Sequence, residues 1–258
     1  MNNPHLHSLA PSARAGVRQV QVSSSTSARL RQSVSTQGKV IVITGAAGAL
    51  GSETAQAFAA RGHSLVLLGH DQNKLDDLAR DLNLPADRIF TSVIDLRDGS
   101  ALHATAEAVA AKFGGVHALI HLVGGWVGGK TLVEASIEDL DFMIGQHIWT
   151  TFHLFQAFVP YLVKTGWGRV MIVSASTVPD PPGKTGTYTA VKAAQENLIL
   201  TLSAELQDQG VTANIIQVRA IDVEKKGTGT TPDEIVAAMM YLFSEEASKM
   251  TGARLPLY

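Results

Sequence analysis

Cysteine is absent from the 258 residues, which removes a disulfide framework, a thiolate nucleophile and any cysteine-ligated metal centre. The absence fits a reducing compartment, so a cytoplasmic location is expected. Long apolar runs are missing too: none reaches the ~18 residues of a membrane-spanning helix, so no membrane partner is expected. Charge of one sign is scarce. With 21 Lys and Arg against 23 Asp and Glu the formal net charge is −2, and no basic field exists to recruit nucleic acid. The nine histidines are scattered. None pairs at metal-ligand spacing with carboxylates beside it, so no metal site is expected.

Acids are missing altogether from residues 1–37, where Ser, Gln and Arg14, Arg18, Arg29 and Arg31 dominate without a hydrophobic period. That composition reads as a flexible tail or as a targeting segment for organelle import. The remainder, 38–258, carries most of a hydrophobic content of 45%, and a chain of this size commonly buries one core as a single α/β domain.

From Lys39 onward, short β-branched runs alternate with helical periods. Val40 to Ile43, Ser64 to Leu68, Arg88 to Ile94, His117 to Val123, Arg169 to Ser174, Thr212 to Gln217 and Arg254 to Leu257 read as strands. Residues 49–61, 72–82, 99–113, 137–163, 186–208 and 232–244 read as helices. The alternation predicts an α/β fold, a doubly wound parallel sheet of about seven strands with helices on both faces. Ligands then bind beyond the carboxyl ends of the strands.

Thr44 to Gly51 reads T-G-A-A-G-A-L-G between the first strand and the first helix. Gly45 and Gly48 allow a pyrophosphate to approach the backbone, Gly51 allows close packing of the helix, and Ala49 and Leu50 open the helix whose N-terminus faces the phosphates. The placement predicts a dinucleotide site, and hence NAD(P)H as cofactor. At the end of the second strand stand Gly69, His70 and Asp71. His70 suits a phosphate and Asp71 a ribose, which leaves NAD and NADP both open. Asp95, followed by Leu96, is placed either to accept from the adenine amino group or to cap the next helix.

Tyr188 and Lys192 are four residues apart and share a helix face. An ammonium beside a phenol lowers its pKa toward neutrality, which makes Tyr188 a usable acid or base.

These motifs, with Y-T-A-V-K at 188–192 and S-E-E-A-S-K-M-T-G at 244–252, resemble the short-chain dehydrogenase/reductase superfamily over Lys39 to Tyr258. The resemblance implies a Rossmann fold, hydride transfer with Tyr188 and Lys192 as the catalytic pair, cofactor contacts at Val123, Gly124 and Ile221, and a homodimer or homotetramer. Four positions depart from the family pattern. The strand-end motif is His121-Leu122-Val123-Gly124. His147 stands at the asparagine position, where it either relays protons or is a buried, hydrogen-bonded histidine with no role in the chemistry. Ala175 stands at the serine position, and Val218-Arg219 replace Pro-Gly.

G-G-W-V-G-G at 124–129, Q-H-I-W-T at 146–150 and the alanine are similar to the dihydropteridine reductase branch. That likeness implies a flat, conjugated substrate stacked on Trp126 beside Ala175 and Ser176. An ordinary carbonyl substrate would instead need a hydroxyl from Ser174, Ser176 or Thr177. Strand alternation speaks against Ser174 and Ser176 if Ala175 faces the site. A non-catalytic dinucleotide binder is the third reading. The few residues between Asp222 and Thr231 predict a short lid and an open site.

Overall fold

The computed structural model describes residues 38–258; the arginine-rich segment 1–37, with its tail and import readings, lies outside the described residues. Seven strands form one parallel sheet in the order β3-β2-β1-β4-β5-β6-β7. They are β1 Val40–Thr44, β2 Ser64–Gly69, β3 Ile89–Val93, β4 Ala118–His121, β5 Gly168–Ala175, β6 Val211–Val218 and β7 Arg254–Leu257. The chain winds outward from β1 to β3, returns to β4 on the other side of β1, and winds outward again. The gap between β1 and β4 is the switch point, where the strands' connections leave in opposite directions and open a crevice.

Helices α1 Ala49–Ala60, α2 Gln72–Leu82 and α7 Pro232–Phe243 cover one face; α3 Gly99–Phe113, α5 Thr150–Thr165 and α6 Gly186–Glu205 cover the other. Strand residues alternate between the two layers. Val40 and Val42 join Leu102, Leu154, Phe158 and Ile199 in one core, while Ile41 and Ile43 join Phe58, Leu75 and Met239 in the other. In β5 the even residues Val170 and Ile172 lie in the α3/α5/α6 core, and the odd residue Met171 lies in the α1/α2/α7 core.

Three expected elements differ for a visible reason; elsewhere the bounds shift by three residues at most. The fourth strand ends at His121 rather than Val123, because the Leu122 N–H donates to the Thr44 hydroxyl at 3.1 Å and leaves the ladder. The third strand starts one residue late, after a 3₁₀ turn at Ala86–Arg88. The long helix expected over 137–163 is broken into α4 Ile137–Ile144, a π-helical turn Gly145–Trp149, and α5. The Thr150 and Thr151 hydroxyls donate to the Gln146 and His147 carbonyls at 2.7 and 2.6 Å. This back-bonding competes with the regular i−4 ladder and accompanies the widened turn. Among the described residues no helix is long and apolar enough to cross a membrane.

Gly51 shows how tightly the first turn is closed. A Cβ there would lie 2.2 Å from the Gly45 carbonyl oxygen and 2.7 Å from that of Ala46. Both obstacles are backbone and neither can rotate away. Gly51→Ala is therefore expected to lower unfolding free energy by about 1–3 kcal/mol, read from urea denaturation.

Candidate active site

The β1–α1 turn begins at Gly45, whose φ of +66° lies in the left-handed region. Thr44 is fully buried, and its hydroxyl bonds His121 Nδ1 at 2.8 Å, which ties the ends of β1 and β4 together across the switch point. Gly48 is the N-cap of α1, and the Ser52 N–H closes the first bond of the helix, to Gly48 O at 2.8 Å. The N–H groups of Ala49, Leu50 and Gly51 thus stand in the first turn, where a helix has no internal partner for them. The Leu50 side chain goes into the core, so only its main chain faces a ligand. The cradle needs the absence of side chains at Gly45 and Gly51, where a Cβ would meet Val123 at 3.3 Å and backbone oxygen at 2.2 Å. Such a turn at a helix N-terminus fits a dinucleotide's pyrophosphate.

Three cavities adjoin along the carboxyl ends of the strands, and Val123 lines all of them. The largest, about 530 Å³, is walled by Gly45, Gly69, His70, Asp95, Leu96, Arg97, Gln146 and Thr150. The next holds Gly48, His70, Asp71 and Lys74. His70, Leu96 and Asp95 thus meet on one cavity wall. Asp95, however, is already engaged. Its carboxylate takes the Arg97 side chain at 2.7 and 3.0 Å and the Arg97 N–H at 2.9 Å, and these bonds hold its pKa at about 2. It is not the cap of α3 either; Asp98 is, accepting from the Ala101 N–H at 3.0 Å. Asp71 caps α2, accepting from the Lys74 N–H at 3.2 Å, and so carries a structural task at the place read as a ribose contact.

The third cavity, about 280 Å³, brings together Gly124, His147, Ser174, Tyr188, Lys192, Arg219 and Ile221. Lys192 is 6% exposed and donates to Val173 O and to Gln195 Oε1, both at 2.8 Å. Burial lowers its pKa to about 8, against the pull of Glu196. The Tyr188 phenol is pushed up, by burial. This corrects the expected lowering: in this arrangement the ammonium bonds Val173 O and Gln195, and desolvation governs the phenol.

His147 is buried in the π turn with its ring edge-on to Tyr188, centroids 6.0 Å apart. Its Nε2 lies 2.9 Å from Gly125 O, and Gly124 must lack a side chain because a Cβ would sit 2.8 Å from the imidazole. Burial, then Lys192, lowers His147 to about 4. The ring is neutral at pH 7, so its environment opposes the relay by a titrating imidazole and favours a clamp on the 124–125 backbone.

The alternation argument about β5 is reversed. Ala175 pairs with Val218, a member of the α1/α2/α7 core, and does not line the cavity. Ser174 follows Val170 and Ile172 on the opposite face, the one that carries Tyr188 and Lys192. It lines the cavity, and its buried hydroxyl has no hydrogen-bond partner among the described residues. Ser176 lies past the strand, its N–H on Val218 O, and is not on the wall. Trp126 is 63% exposed, packs on Gly128, and also stands off the wall.

The short lid is a tight loop. Ile221 bridges Thr230, and the Asp222 carboxylate accepts from the N–H groups of Lys226, Gly227 and Thr228 at 2.6–3.1 Å. Sequence reasoning missed Gln195 and Arg97. A buried stripe of helix containing a glutamine was the available signal for the first.

The short chain dehydrogenase family model matches residues 39–231. The chain is 29% identical to the meso-2,3-butanediol dehydrogenase of Serratia marcescens, over 85% of this chain and 92% of that one. It is 26% identical to the 3-oxoacyl-[acyl-carrier-protein] reductase of Thermotoga maritima, over 84% and 94%. A putative short chain dehydrogenase structure from Pseudomonas syringae superposes with a TM-score of 0.79 at 25% identity, over 86% and 96%. An NAD⁺-bound xylitol dehydrogenase structure shares the fold, with a TM-score of 0.78 at 19% identity.

Four histidines beside the sheet, His63, His117, His121 and His147, are held by burial at about 4, 4, 3 and 4. An unfolded histidine takes a proton near pH 6.5, so between pH 6.5 and 4 the unfolded chain binds protons that the folded chain refuses. Stability is complete above that window and falls as pH drops through it. Urea denaturation from pH 7.5 to 4.5 is expected to show a falling unfolding free energy. His121→Gln should flatten that slope, whatever its effect at pH 7.5.

Proposed function

The chain belongs to the short-chain dehydrogenase family, and from there we propose that it is an NADH- or NADPH-dependent oxidoreductase that reduces a carbonyl, with Tyr188 giving the proton and Ser174 holding the carbonyl oxygen. The observation that carries this reading is the single cavity lined by Tyr188, Lys192 and Ser174, whose buried hydroxyl has no partner among the described residues. When bound, nicotinamide supplies the hydride. The residues of this chain do the rest. The Ser174 O–H donates to the substrate oxygen as negative charge grows there. The Tyr188 O–H transfers its proton to that oxygen. The Lys192 ammonium stabilises the phenolate left behind. The His147 clamp holds the Gly124–Gly125 wall, and the Asp222-capped loop gives the mouth a fixed edge. The alcohol and oxoacyl names of the relatives support a carbonyl.

A second reading keeps the flat, conjugated substrate. Ala175 at the serine position favours it, since such a substrate need not gather charge on one oxygen. The two readings share Tyr188 and part at Ser174.

Pairing of two copies is the proposed assembly. Trp149 and Phe152 lie 50% and 41% exposed on the outer side of the π turn and α5, an apolar surface that a second copy would cover. Sedimentation velocity is expected to show a dimer or tetramer, and Phe152→Glu to shift it toward monomer.

Steady-state reduction of a ketone panel and of quinonoid dihydropterin, with NADH and NADPH, tests the chemistry. Tyr188→Phe is expected to lose about 10²–10⁴-fold in kcat on any true substrate. Ser174→Ala is expected to lose about 10-fold or more on ketones. Ketone turnover indifferent to Ser174→Ala, with brisk pterin reduction, would replace the first reading by the second.

A further inference from the structure

A glutamine stands where the buried stripe of α6 calls for an apolar residue. Val191, Ile199 and Leu202 share that stripe, and Gln195 is 1% exposed within it. A buried amide is costly unless both its ends are bonded. Both are: Oε1 accepts from Lys192 Nζ at 2.8 Å, and Nε2 donates to Thr151 Oγ1 at 2.8 Å. The direction of the amide follows from the next link. The Thr151 hydroxyl gives its one proton to the His147 carbonyl at 2.6 Å, so it can only accept from Gln195. The NH₂ end must face Thr151, and the oxygen must face the ammonium.

We propose that Gln195 is a positioning residue, whose amide aims the Lys192 ammonium so that a single N–H is left for the catalytic cavity. This rests on the reading of Tyr188 and Lys192 as the reacting pair. An ammonium has three donors. Val173 O takes one and Gln195 takes another. The third points to the remaining open side, the cavity that Lys192 lines with Tyr188. Both anchors are buried acceptors without a proton of their own. When Lys192 gives up a proton to cavity water, the anchored N–H groups stay, and the amine lone pair takes the cavity-facing place. Charge is gained and lost at that one position. The aim is transmitted from the π turn, since Thr151 fastens the amide to the His147 carbonyl.

The charged and titratable groups around Lys192 are few. Tyr188 and Glu196 stand on its own helix, His147 on the π turn and His121 on β4, and Arg219, just past β6, lines the same cavity. Glu196 is fully buried and is bonded by Gln217 from β6 at 2.9 Å and by Arg254 from β7 at 2.6 Å. From β5 comes only the Val173 carbonyl. Both histidines are neutral near pH 7, so in that range the ammonium answers to Glu196, to the phenol and to the Gln195 oxygen.

The test uses the full chain with Gln195→Glu, Gln195→Leu and Thr151→Val. Two measurements run in parallel: the pH dependence of kcat on the preferred substrate, and the pH dependence of trace acetylation of Lys192 read by mass spectrometry. Reduction is expected to fall on an alkaline limb as Lys192 loses its charge. Gln195→Glu places a carboxylate against the ammonium and should move the limb up by about one unit or more. Gln195→Leu removes an acceptor from the charged form and should move it down by roughly half a unit. Thr151→Val should move it down by less. Limbs that move the same way in the Glu and Leu variants, or stay fixed while the rate drops, would show a packing role and overturn the proposal. The near-isosteric Gln195→Glu keeps the test decisive if Gln195→Leu fails to fold. Acetylation needs no turnover. Opposite shifts there in a protein that reduces nothing would uphold the positioning role and sink the reductase reading instead.

Discussion

A lysine ammonium buried to 6% exposure needs acceptors on every side that water has left, and much of this site is arranged by that need. Val173 O supplies one, which places the end of β5 beside α6. Gln195 supplies another and reaches on to Thr151, which joins α6 to the π turn. Glu196, one turn along, offers the compensating charge and is in turn bonded from β6 and β7. Four strands and helices that are distant in sequence are thus tied to one cation. The same burial that lowers Lys192 also raises Tyr188, so desolvation carries the lysine below the phenol and sets the two apart in pKa.

The cofactor end follows a different physical rule, close approach of backbone. Gly45, Gly51 and Gly124 each stand where a Cβ would press on Val123, a carbonyl oxygen or the His147 ring. The Thr44–His121 bond closes β1 onto β4 beneath them. Around this fixed floor the walls vary. Asp95 is taken by Arg97 and Asp71 by the N-terminus of α2, so His70, Lys74 and the glycine turn line the outer cavity with little negative charge left free. The inner cavity likewise carries Lys192 and Arg219 and no carboxylate. A groove with this balance suits an anionic dinucleotide.

Much of the fold was legible before any coordinates. The helices over 72–82 and 99–113 and the strand over 254–257 coincide with their periodic patterns, because each has one apolar face and clear ends. The helix over 137–163 was legible as helix but not as two helices around a π turn, since the two threonine hydroxyls that bond back to the backbone leave the hydrophobic period unchanged. Position 175 was misread for a related reason. A gap-free count identifies which residue holds a family's place, but facing depends on where β5 ends, and β5 runs on through Ala175 against Val218.

By itself the sequence determined what local chemistry dictates: the glycine turn after a buried strand, the alternation that makes a parallel sheet, the pairing of Tyr188 with Lys192 four residues on, and the absence of cysteine chemistry. Only the tertiary structure decided that Ser174 rather than Ala175 lines the cavity of Tyr188 and Lys192, that Asp95 is held by Arg97, that Trp126 stands off the wall, and that Gln195 holds the ammonium. The physical reason is common to all four. Each depends on which partner a polar group finds and which side of an element it faces, whether that partner is two or three residues away, as for Asp95 with Arg97 and Gln195 with Lys192, or across the fold, as for Gln195 with Thr151, and packing settles the choice.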